Sequence, residues 1–287
     1  MDKYSVYGSR GFVGSEVCKN PFFIPVEVTR DDRSKLISPT NKLVYLRSTV
    51  HNYHVTDNDP YTDIKTNLIH LMSVLQANRI KYGNNFEITW VGTWFSYGTV
   101  ELPARETSAC SPKGFYGISK LCAEQLLASY CNTFGITYKI IRLSNVLGVG
   151  DKKVSKRKNA IQYMISELVA GREIELYDGD IIRDFLHVSD AAEAIRKVAR
   201  LGESGELYNA GSGHPTFIKD IIYHAAKKLN CEDKITTKPI PDFHSKVQAK
   251  NMWLDTTKIS EELGWMPVRE TMDIIDELVE GTYAEQG

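Results

Sequence analysis

The sequence predicts an α/β fold built on a largely parallel β-sheet, and three observations favour this class. Short apolar, β-branched runs alternate with segments whose apolar residues recur every three to four positions. A glycine-rich turn follows the first apolar run and opens a helical pattern. The 287 residues suffice for one large domain or two closely joined ones. Strands that alternate with helices pair in parallel, because each helix carries the chain back along the sheet.

The predicted strands are short and the predicted helices are amphipathic. In chain order, the strands are Tyr4–Tyr7, Pro25–Thr29, Leu43–Leu46, Glu87–Gly92, Tyr138–Leu143 and Leu207–Asn209. The helices are Ile64–Ala77, Tyr116–Tyr130 and Ala191–Leu201. After Gly150 the segments become shorter and more polar, which predicts a smaller second lobe. We place the first domain at 1–150, with about 186–212 returning to it, and the second lobe at 151–185 and 213–287.

Composition excludes several classes of function. With a formal net charge of −1, no overall field recruits nucleic acid or an anionic membrane. The five cysteines are odd in number and lack CxxC spacing, which argues against a disulfide framework or a zinc site. The chain begins MDKYSVYG, without a basic and then apolar leader, and no apolar run approaches membrane-spanning length. We therefore expect a cytoplasmic protein with no metal, nucleic-acid or membrane partner.

The glycines of YGSRGFVGS predict a dinucleotide-binding loop. Gly8, Gly11 and Gly14 are three residues apart and lie between a strand and a helix. The first permits a tight turn, the second lets a pyrophosphate approach the backbone, and the third lets the helix pack on the strand. The helix N-terminus attracts the phosphates. The predicted cofactor contacts are Gly8, Ser9, Arg10, Gly11, Phe12, Val13 and Gly14; the alternative is a tight turn without a ligand.

Two arginines favour NADP(H) as the cofactor. The second strand is expected to end near the adenosine ribose, where VEVTRDDRS supplies Arg30. Arg10 adds a second positive charge from the glycine loop. Guanidinium groups match phosphate oxygens, so the pair suits the additional phosphate of NADP(H). If Asp31 or Asp32 holds the ribose instead, NAD(H) is the cofactor.

A Tyr-x-x-x-Lys pair supplies the candidate acid/base, although the spacing occurs three times, at Tyr61/Lys65, Tyr116/Lys120 and Tyr223/Lys227. Residues four apart share a helix face, and an ammonium beside a phenol lowers the pKa of the phenol. Context favours Tyr116, because the strand before it places Thr93 at a carboxyl end, where ligands bind in doubly wound sheets. There Thr93 would align the reacting oxygen with Tyr116. The other two pairs are predicted to lie on the surface.

In their order along the chain, the motifs resemble those of the extended short-chain dehydrogenase/reductases, in the nucleotide-sugar epimerase/dehydratase/4-ketoreductase branch. The resemblance covers nearly the whole length. It rests on YGSRGFVGS, GTWFSYG, GFYGISKLCAEQ, IRLSNVLGVG, YDGDIIRDFLHVSDAAEAI, YNAGSGHPTFIKDI and DTTKISEELGWMP. It implies a Rossmann-type, doubly wound parallel sheet with a smaller α/β substrate-binding lobe that takes a nucleoside-diphosphate sugar.

The resemblance also implies individual roles. Tyr116 is the acid/base, Lys120 binds the nicotinamide ribose and Thr93 contacts the sugar oxygen. Leu46 joins the cofactor contacts and Asn67 supports the site. Phe95, Asn145 and Arg183 form the substrate set, with structural hydrogen bonding as the alternative for the last two. A homodimer formed through the helices at 64–77 and 116–130 is common in the family.

Two features depart from the family pattern, and a third, a basic run, belongs to none of the motifs above. Only about 30 residues separate Gly14 from Val44, where the family fits another strand–helix unit, so we expect a reduced adenine edge. Arg47 stands where the family prefers a small residue, and no physical reason for it is evident from the sequence. The basic run at 152–158 either brings Lys156 or Arg157 to a diphosphate or forms a solvated loop.

The residues after Thr93 narrow the expected reaction. The 4,6-dehydratases of the branch carry acidic residues there, and the 3,5-epimerase/reductases carry a cysteine two residues on; this chain has Trp94 and Phe95. What remains is hydride transfer at one sugar carbon, C4. We expect an NADPH-dependent reductase of a nucleotide-linked 4-keto-(deoxy)hexose. The alternatives are a 4-epimerase that keeps NAD(P) tightly bound and a non-catalytic, cofactor-binding regulator.

Overall fold

The structure, a computed structural model, describes residues 2–26, 36–50, 59, 61–152 and 154–284. Its strands are β1 (Tyr4–Tyr7), β2 (Phe23–Val26), β3 (Lys42–Tyr45), β4 (Glu87–Thr93), β5 (Thr137–Leu143), β6 (Asn145–Leu147), β7 (Ile174–Asp178), β8 (Ile182–Arg183), β9 (Phe185–His187), β10 (Leu207–Ala210), β11 (Thr216–Phe217) and β12 (Ile235–Pro239). Its helices are α1 (Phe12–Val17), α2 (Tyr61–Asp63), α3 (His70–Tyr82), α4 (Gly114–Phe134), α5 (Ala160–Val169), α6 (Val188–Leu201), α7 (Ile218–Leu229), α8 (Asp242–Val247), α9 (Thr257–Leu263) and α10 (Thr271–Ala284), with a π-helical segment, Ile64–Ile69, between α2 and α3. No helix in these ranges is both long and apolar enough to cross a membrane.

Six strands form one parallel sheet in the order β2-β1-β3-β4-β5-β10, which confirms the predicted fold class. From β1 the chain steps to β2 on one side and then to β3, β4 and β5 on the other. The direction of progression therefore reverses between β1 and β3. In open α/β sheets, ligands bind beyond the carboxyl ends of the strands at such a switch point.

The predicted elements are confirmed, with longer helices than expected. The helix predicted from Ile64 begins at Tyr61 and continues through the π segment to Tyr82. Helix α4 ends where Gly135 takes the left-handed conformation, with φ 63°, which glycine adopts without a Cβ penalty. β2 starts two residues before the predicted strand, Pro25–Thr29. The last three residues of that prediction, 27–29, lie outside the described ranges. Within those ranges β2 is the edge of the sheet.

Apolar side chains fill both faces of the sheet. One face packs on α1, α6 and α9 through residues such as Val6, Ile195 and Ile259. The other packs on α3 and α4 through residues such as Leu71 and Leu127. A further core joins α5, α7 and α10 to the paired strands β7 and β12. The proposed domain boundaries stay a prediction.

Candidate active site

The glycine loop is a tight turn that needs glycine at positions 8 and 14. Gly8 has φ 90°, and the Gly11 amide donates to the Gly8 carbonyl at 3.0 Å. A Cβ on Gly14 would lie 2.7 Å from the Gly8 carbonyl carbon, so α1 packs directly on the loop. The loop is also close to the end of β3, since a Cβ on Gly8 would lie 3.1 Å from the carbonyl carbon of Leu46. This backbone cradle fits the dinucleotide phosphates expected there.

The other predicted cofactor contacts surround this cradle. Ser9 is buried and donates from Oγ to the Val26 carbonyl at 3.2 Å, which ties the loop to β2. Phe12 and Val13 line the large cavity described below. Arg10 is exposed on the loop, and Arg30 lies outside the described residues. The part of the cofactor preference that depends on Arg30 therefore stays a prediction.

Thr93 and Tyr116 meet at the carboxyl end of β4. Thr93 is the last residue of the strand, and its Oγ1 accepts from the Phe95 amide at 3.3 Å. Both Thr93 and Tyr116 line the same large cavity. The Phe95 ring meets the Tyr116 ring edge-on, with centroids 5.4 Å apart and an interplanar angle of 85°. The Tyr116 ring thus packs against an aromatic side chain two residues beyond the end of β4.

Lys120 is buried one helical turn beyond Tyr116, with 2% of its surface exposed. Its Nζ donates to the Val91 carbonyl at 3.0 Å and lies 4.0 Å from the centroid of the Trp90 ring. Burial lowers the pKa of Lys120 to about 7, against the opposing effect of the Glu124 carboxylate.

The expectation that Lys120 lowers the pKa of Tyr116 is wrong for this chain. Burial raises the pKa of the phenol above its ordinary value, and the negative charge of Asp63 raises it further. Hydrogen bonds from Ser48 and Thr93 oppose this rise only in part. Tyr116 is therefore protonated at neutral pH, as a general acid must be.

The two other Tyr-x-x-x-Lys pairs lie at the surface. Tyr61 is 62% exposed, and the Lys65 ammonium lies 5.7 Å from its ring centroid. Tyr223 is 43% exposed, and Lys227 is exposed as well. Only Tyr116/Lys120 is placed beside both a strand end and the glycine loop.

A cavity of about 880 Å³ opens beside Tyr116 and extends toward the second lobe. Asn145 and Arg183 line it, but their polar atoms already have protein partners. Asn145 accepts from the Trp94 indole at 3.2 Å and donates to the Asp184 carbonyl at 2.9 Å. Arg183 donates to the carbonyl oxygens of Ile182, Ala249 and Lys250. Asn145 and Arg183 thus form structural hydrogen bonds, which was the alternative to substrate binding. That either residue binds substrate stays a prediction.

The cavity lining carries charges of both signs, including the carboxylates of Glu167, Glu173 and Glu175. Lys156 and Arg157 are exposed and line the cavity, whereas Lys158 forms an ion pair with Asp151. His244 also lines the cavity, and its pKa is lowered by burial and by the positive charges of Lys156 and Lys238.

Arg47 contacts helix α3. Its Nη1 donates to Nε2 of His70 at 2.7 Å, and Nδ1 of His70 lies 2.9 Å from the Tyr45 hydroxyl. Because a guanidinium only donates, Nε2 is the acceptor and Nδ1 carries the hydrogen that goes to Tyr45. The side chain that had no explanation from the sequence thus joins the loop after β3 to α3.

The model of the NAD dependent epimerase/dehydratase family matches residues 20–211, well over half of the chain. The chain belongs to this family. More finely, it falls in the nucleotide-sugar branch of the extended short-chain dehydrogenase/reductases.

Two curated relatives illustrate the branch. A dTDP-glucose 4,6-dehydratase of Salmonella typhimurium is 27% identical over 236 residues, covering 73% of this chain and 63% of the relative. A GDP-6-deoxy-D-mannose reductase of Pseudomonas aeruginosa is 28% identical over 215 residues, covering 73% and 69%. The chain thus spans slightly less than two thirds of the dehydratase.

Solved structures share the fold over the whole chain. RMD from Pseudomonas aeruginosa complexed with NADPH superposes with a TM-score of 0.83 at 21% identity, covering 99% of this chain and 100% of that one. UDP-glucose 4-epimerase from Thermotoga maritima with UDP-glucose gives 0.84 at 21% identity, covering 100% of both. Identities this low show the fold alone.

Proposed function

We propose that the chain is a nicotinamide-dependent nucleotide-sugar enzyme that reduces the C4 ketone of a nucleotide-linked 4-keto-(deoxy)hexose, with NADPH as the reductant. The observation that carries the proposal is the meeting of Thr93, Tyr116 and Lys120 at the end of β4, beside the glycine loop and open to one large cavity. NAD(H) is the alternative cofactor. We further propose a cytoplasmic homodimer.

Each residue has a distinct part in this chemistry. A dinucleotide cofactor with its phosphates at the glycine loop would supply the hydride from its nicotinamide ring. The Thr93 hydroxyl holds the ketone oxygen, and Tyr116, protonated because burial raises its pKa, delivers the proton as the oxygen gains charge. Lys120, one helical turn away on α4, would bind the ribose of the nicotinamide. Phe95 packs edge-on against the phenol and shields one side of it from water.

The residues after Thr93 favour simple reduction over dehydration. Trp94 and Phe95 stand where dehydration at C5 and C6 needs a carboxyl pair, and their rings pack 3.9 Å apart. Neither ring can take up or return a proton. The similarity to GDP-6-deoxy-D-mannose reductase supports the same reading.

The direct test mixes the protein with NADPH and a nucleotide-linked 4-keto-6-deoxyhexose and follows the NADPH absorbance band. We expect stoichiometric oxidation of NADPH. Interconversion of ordinary nucleotide hexoses without added cofactor, and no NADPH oxidation, would establish the 4-epimerase instead. The similarity in fold to the Thermotoga maritima epimerase makes that the second candidate.

A further inference from the structure

The indole ring of Trp94, the residue after β4, is held on several sides. It is 3% exposed and belongs to a small core with Met252 and Leu254. The centroid of the Phe95 ring lies 3.9 Å from that of Trp94. The guanidinium carbon of Arg183 lies over the indole, 5.1 Å from the ring centroid, where a cation is attracted to an aromatic face. These contacts fix the direction of the indole N–H.

The Trp94 ring in turn fixes the side-chain amide of Asn145. The indole Nε1 donates to Asn145 Oδ1 at 3.2 Å, and Asn145 Nδ2 donates to the Asp184 carbonyl at 2.9 Å. An indole N–H only donates and a carbonyl only accepts, so the amide has a single satisfactory orientation. Turning it over would set N–H against N–H at Trp94 and oxygen against oxygen at Asp184.

The protein uses only half of the hydrogen-bonding capacity of this amide. A primary amide offers two hydrogens and two lone pairs. Among the residues that the structure describes, Trp94 occupies one lone pair and Asp184 takes one hydrogen. Asn145 is partly buried and lines the large cavity together with Tyr116. The second hydrogen on Nδ2 is therefore available to a molecule bound in the cavity.

We propose that Trp94 is a positioning residue for the substrate: its indole fixes the Asn145 amide so that Nδ2 donates to an oxygen of the sugar. The sugar is the part concerned because Trp94 directly follows Thr93, which holds the ketone oxygen of that sugar in the proposed function. This inference rests on the proposed function and deepens it. Trp94 stands where dehydration needs a carboxyl group and serves substrate binding instead.

A double-mutant cycle tests whether Trp94 acts through Asn145. Calorimetry compares UDP-glucose, dTDP-glucose and GDP-mannose, and the tightest ligand is used throughout. Asn145→Ala is expected to weaken its binding about tenfold. Trp94→Phe keeps a ring for Arg183 but loses the N–H, and is expected to weaken binding about fivefold. Added to Asn145→Ala, it is expected to cost less than about twofold more. Independent effects of the two changes, or binding of none of the three ligands, overturn the proposal.

Two controls separate a contact with the sugar from general damage. The free nucleoside diphosphate of the chosen ligand is expected to bind Trp94→Phe within about twofold of its wild-type affinity. Trp265→Phe is the matched variant, because Trp265 is 2% exposed and packs in a different core, with Ile259 and Leu263. An equal loss for the free diphosphate, or an equal loss in Trp265→Phe, overturns the proposal.

The hydrogen bond itself is tested by NMR without ligand. The four tryptophans give four indole Hε1 signals, and Trp94→Phe identifies the signal of Trp94. In Asn145→Ala this signal is expected to move to higher field, because its acceptor is lost, while the other three stay in place. If Trp94→Phe does not fold, Asn145→Ala alone is expected to move one signal of the four. Four unmoved signals overturn the proposal.

Turnover distinguishes this inference from the function on which it rests. With NADPH and the ketosugar, Trp94→Phe is expected to raise KM about fivefold and to leave kcat within about twofold. A fall in kcat at constant KM overturns the positioning role. Turnover combined with independent effects in the cycle rejects only this inference. Coupled effects on binding in a protein that oxidises no NADPH support the joint action of Trp94 and Asn145 and reject the proposed reduction.

Discussion

Lys120 donates from Nζ to the carbonyl oxygen of Val91 at 3.0 Å and lies 4.0 Å from the ring centroid of Trp90. Both partners belong to β4, so one side chain attaches α4 to the sheet and also occupies the position proposed for cofactor binding. Burial disfavours the charged form of Lys120, so the stability of the protein depends on pH through this side chain.

Lys120→Met is expected to flatten the pH dependence of stability. The native pKa of about 7 lies below the ordinary 10.5, so between these values the unfolded chain binds a proton that the native chain does not. Wild-type stability therefore gains up to about 1.4 kcal/mol per pH unit from this group as pH rises through that window. Urea unfolding at several pH values measures it, with the exposed Lys65→Met as control. If stability changes with pH in the same way in the wild type and in Lys120→Met, the pKa of Lys120 is not lowered by burial.

Tyr116→Phe is expected to lower kcat for ketosugar reduction at least about a hundredfold, because the proton donor is lost. The dissociation constant of NADPH, measured by its fluorescence, is expected to stay within about threefold. Tyr223→Phe removes the exposed hydroxyl of a rival pair and serves as control. If the wild-type protein reduces no ketosugar and Tyr116→Phe binds NADPH as the wild type does, the non-catalytic regulator is indicated instead.

Gly14→Ala is expected to abolish cofactor binding. The added Cβ would lie 2.7 Å from the Gly8 carbonyl carbon, so α1 must move away from the loop. Calorimetric titration with NADPH measures the loss, and Ser15→Ala, at the exposed next position, is expected to bind normally. Normal binding by Gly14→Ala would show that the loop does not form the phosphate cradle.

Asp184→Ala is expected to destabilise the fold by about 3 kcal/mol or more. The Asp184 carboxylate is 1% exposed and accepts from the amide and hydroxyl of Ser212 at 2.7 and 2.8 Å and from the Leu254 amide at 3.1 Å. Alanine leaves these buried donors unpaired. The carboxylate of Asp180 is exposed and pairs with Lys219, so Asp180→Ala is expected to leave the midpoint of urea unfolding nearly unchanged. Equal losses of stability in the two variants would show that the hydrogen bonds of Asp184 do not stabilise the fold more than a surface ion pair does.

Leu126→Glu is expected to yield a monomer. An apolar groove between the π-helical segment, α3 and α4 is lined by Ile64, Leu68, Ile69, Met72 and Leu126, and Ile69 and Leu126 are 54% and 40% exposed. A second copy packed there would bury this surface. Light scattering coupled to size-exclusion chromatography measures the mass, with Leu201→Glu on α6 as the control. A monomeric wild type would contradict the proposed homodimer.

Features that depend on local sequence were predictable, and those that depend on burial were not. Tyr116 and Lys120 share a helix face by spacing, and Gly8 begins the turn after β1 through its own backbone preference. The direction of the Tyr116 pKa shift was missed, because the spacing shows Lys120 but not the burial of either residue.

By itself, the sequence determined the alternation of strands and helices, the glycine loop, and the order that selects Tyr116 from three identical spacings. These follow from backbone preferences and periodicity, which act over a few residues. Only the tertiary structure decided the partners of Arg47, the hydrogen bonds around Asp184 and those that join Asp63 and Asn67 to Thr49. Those contacts join residues far apart in the chain, and their strength comes from a shared burial that no local pattern records.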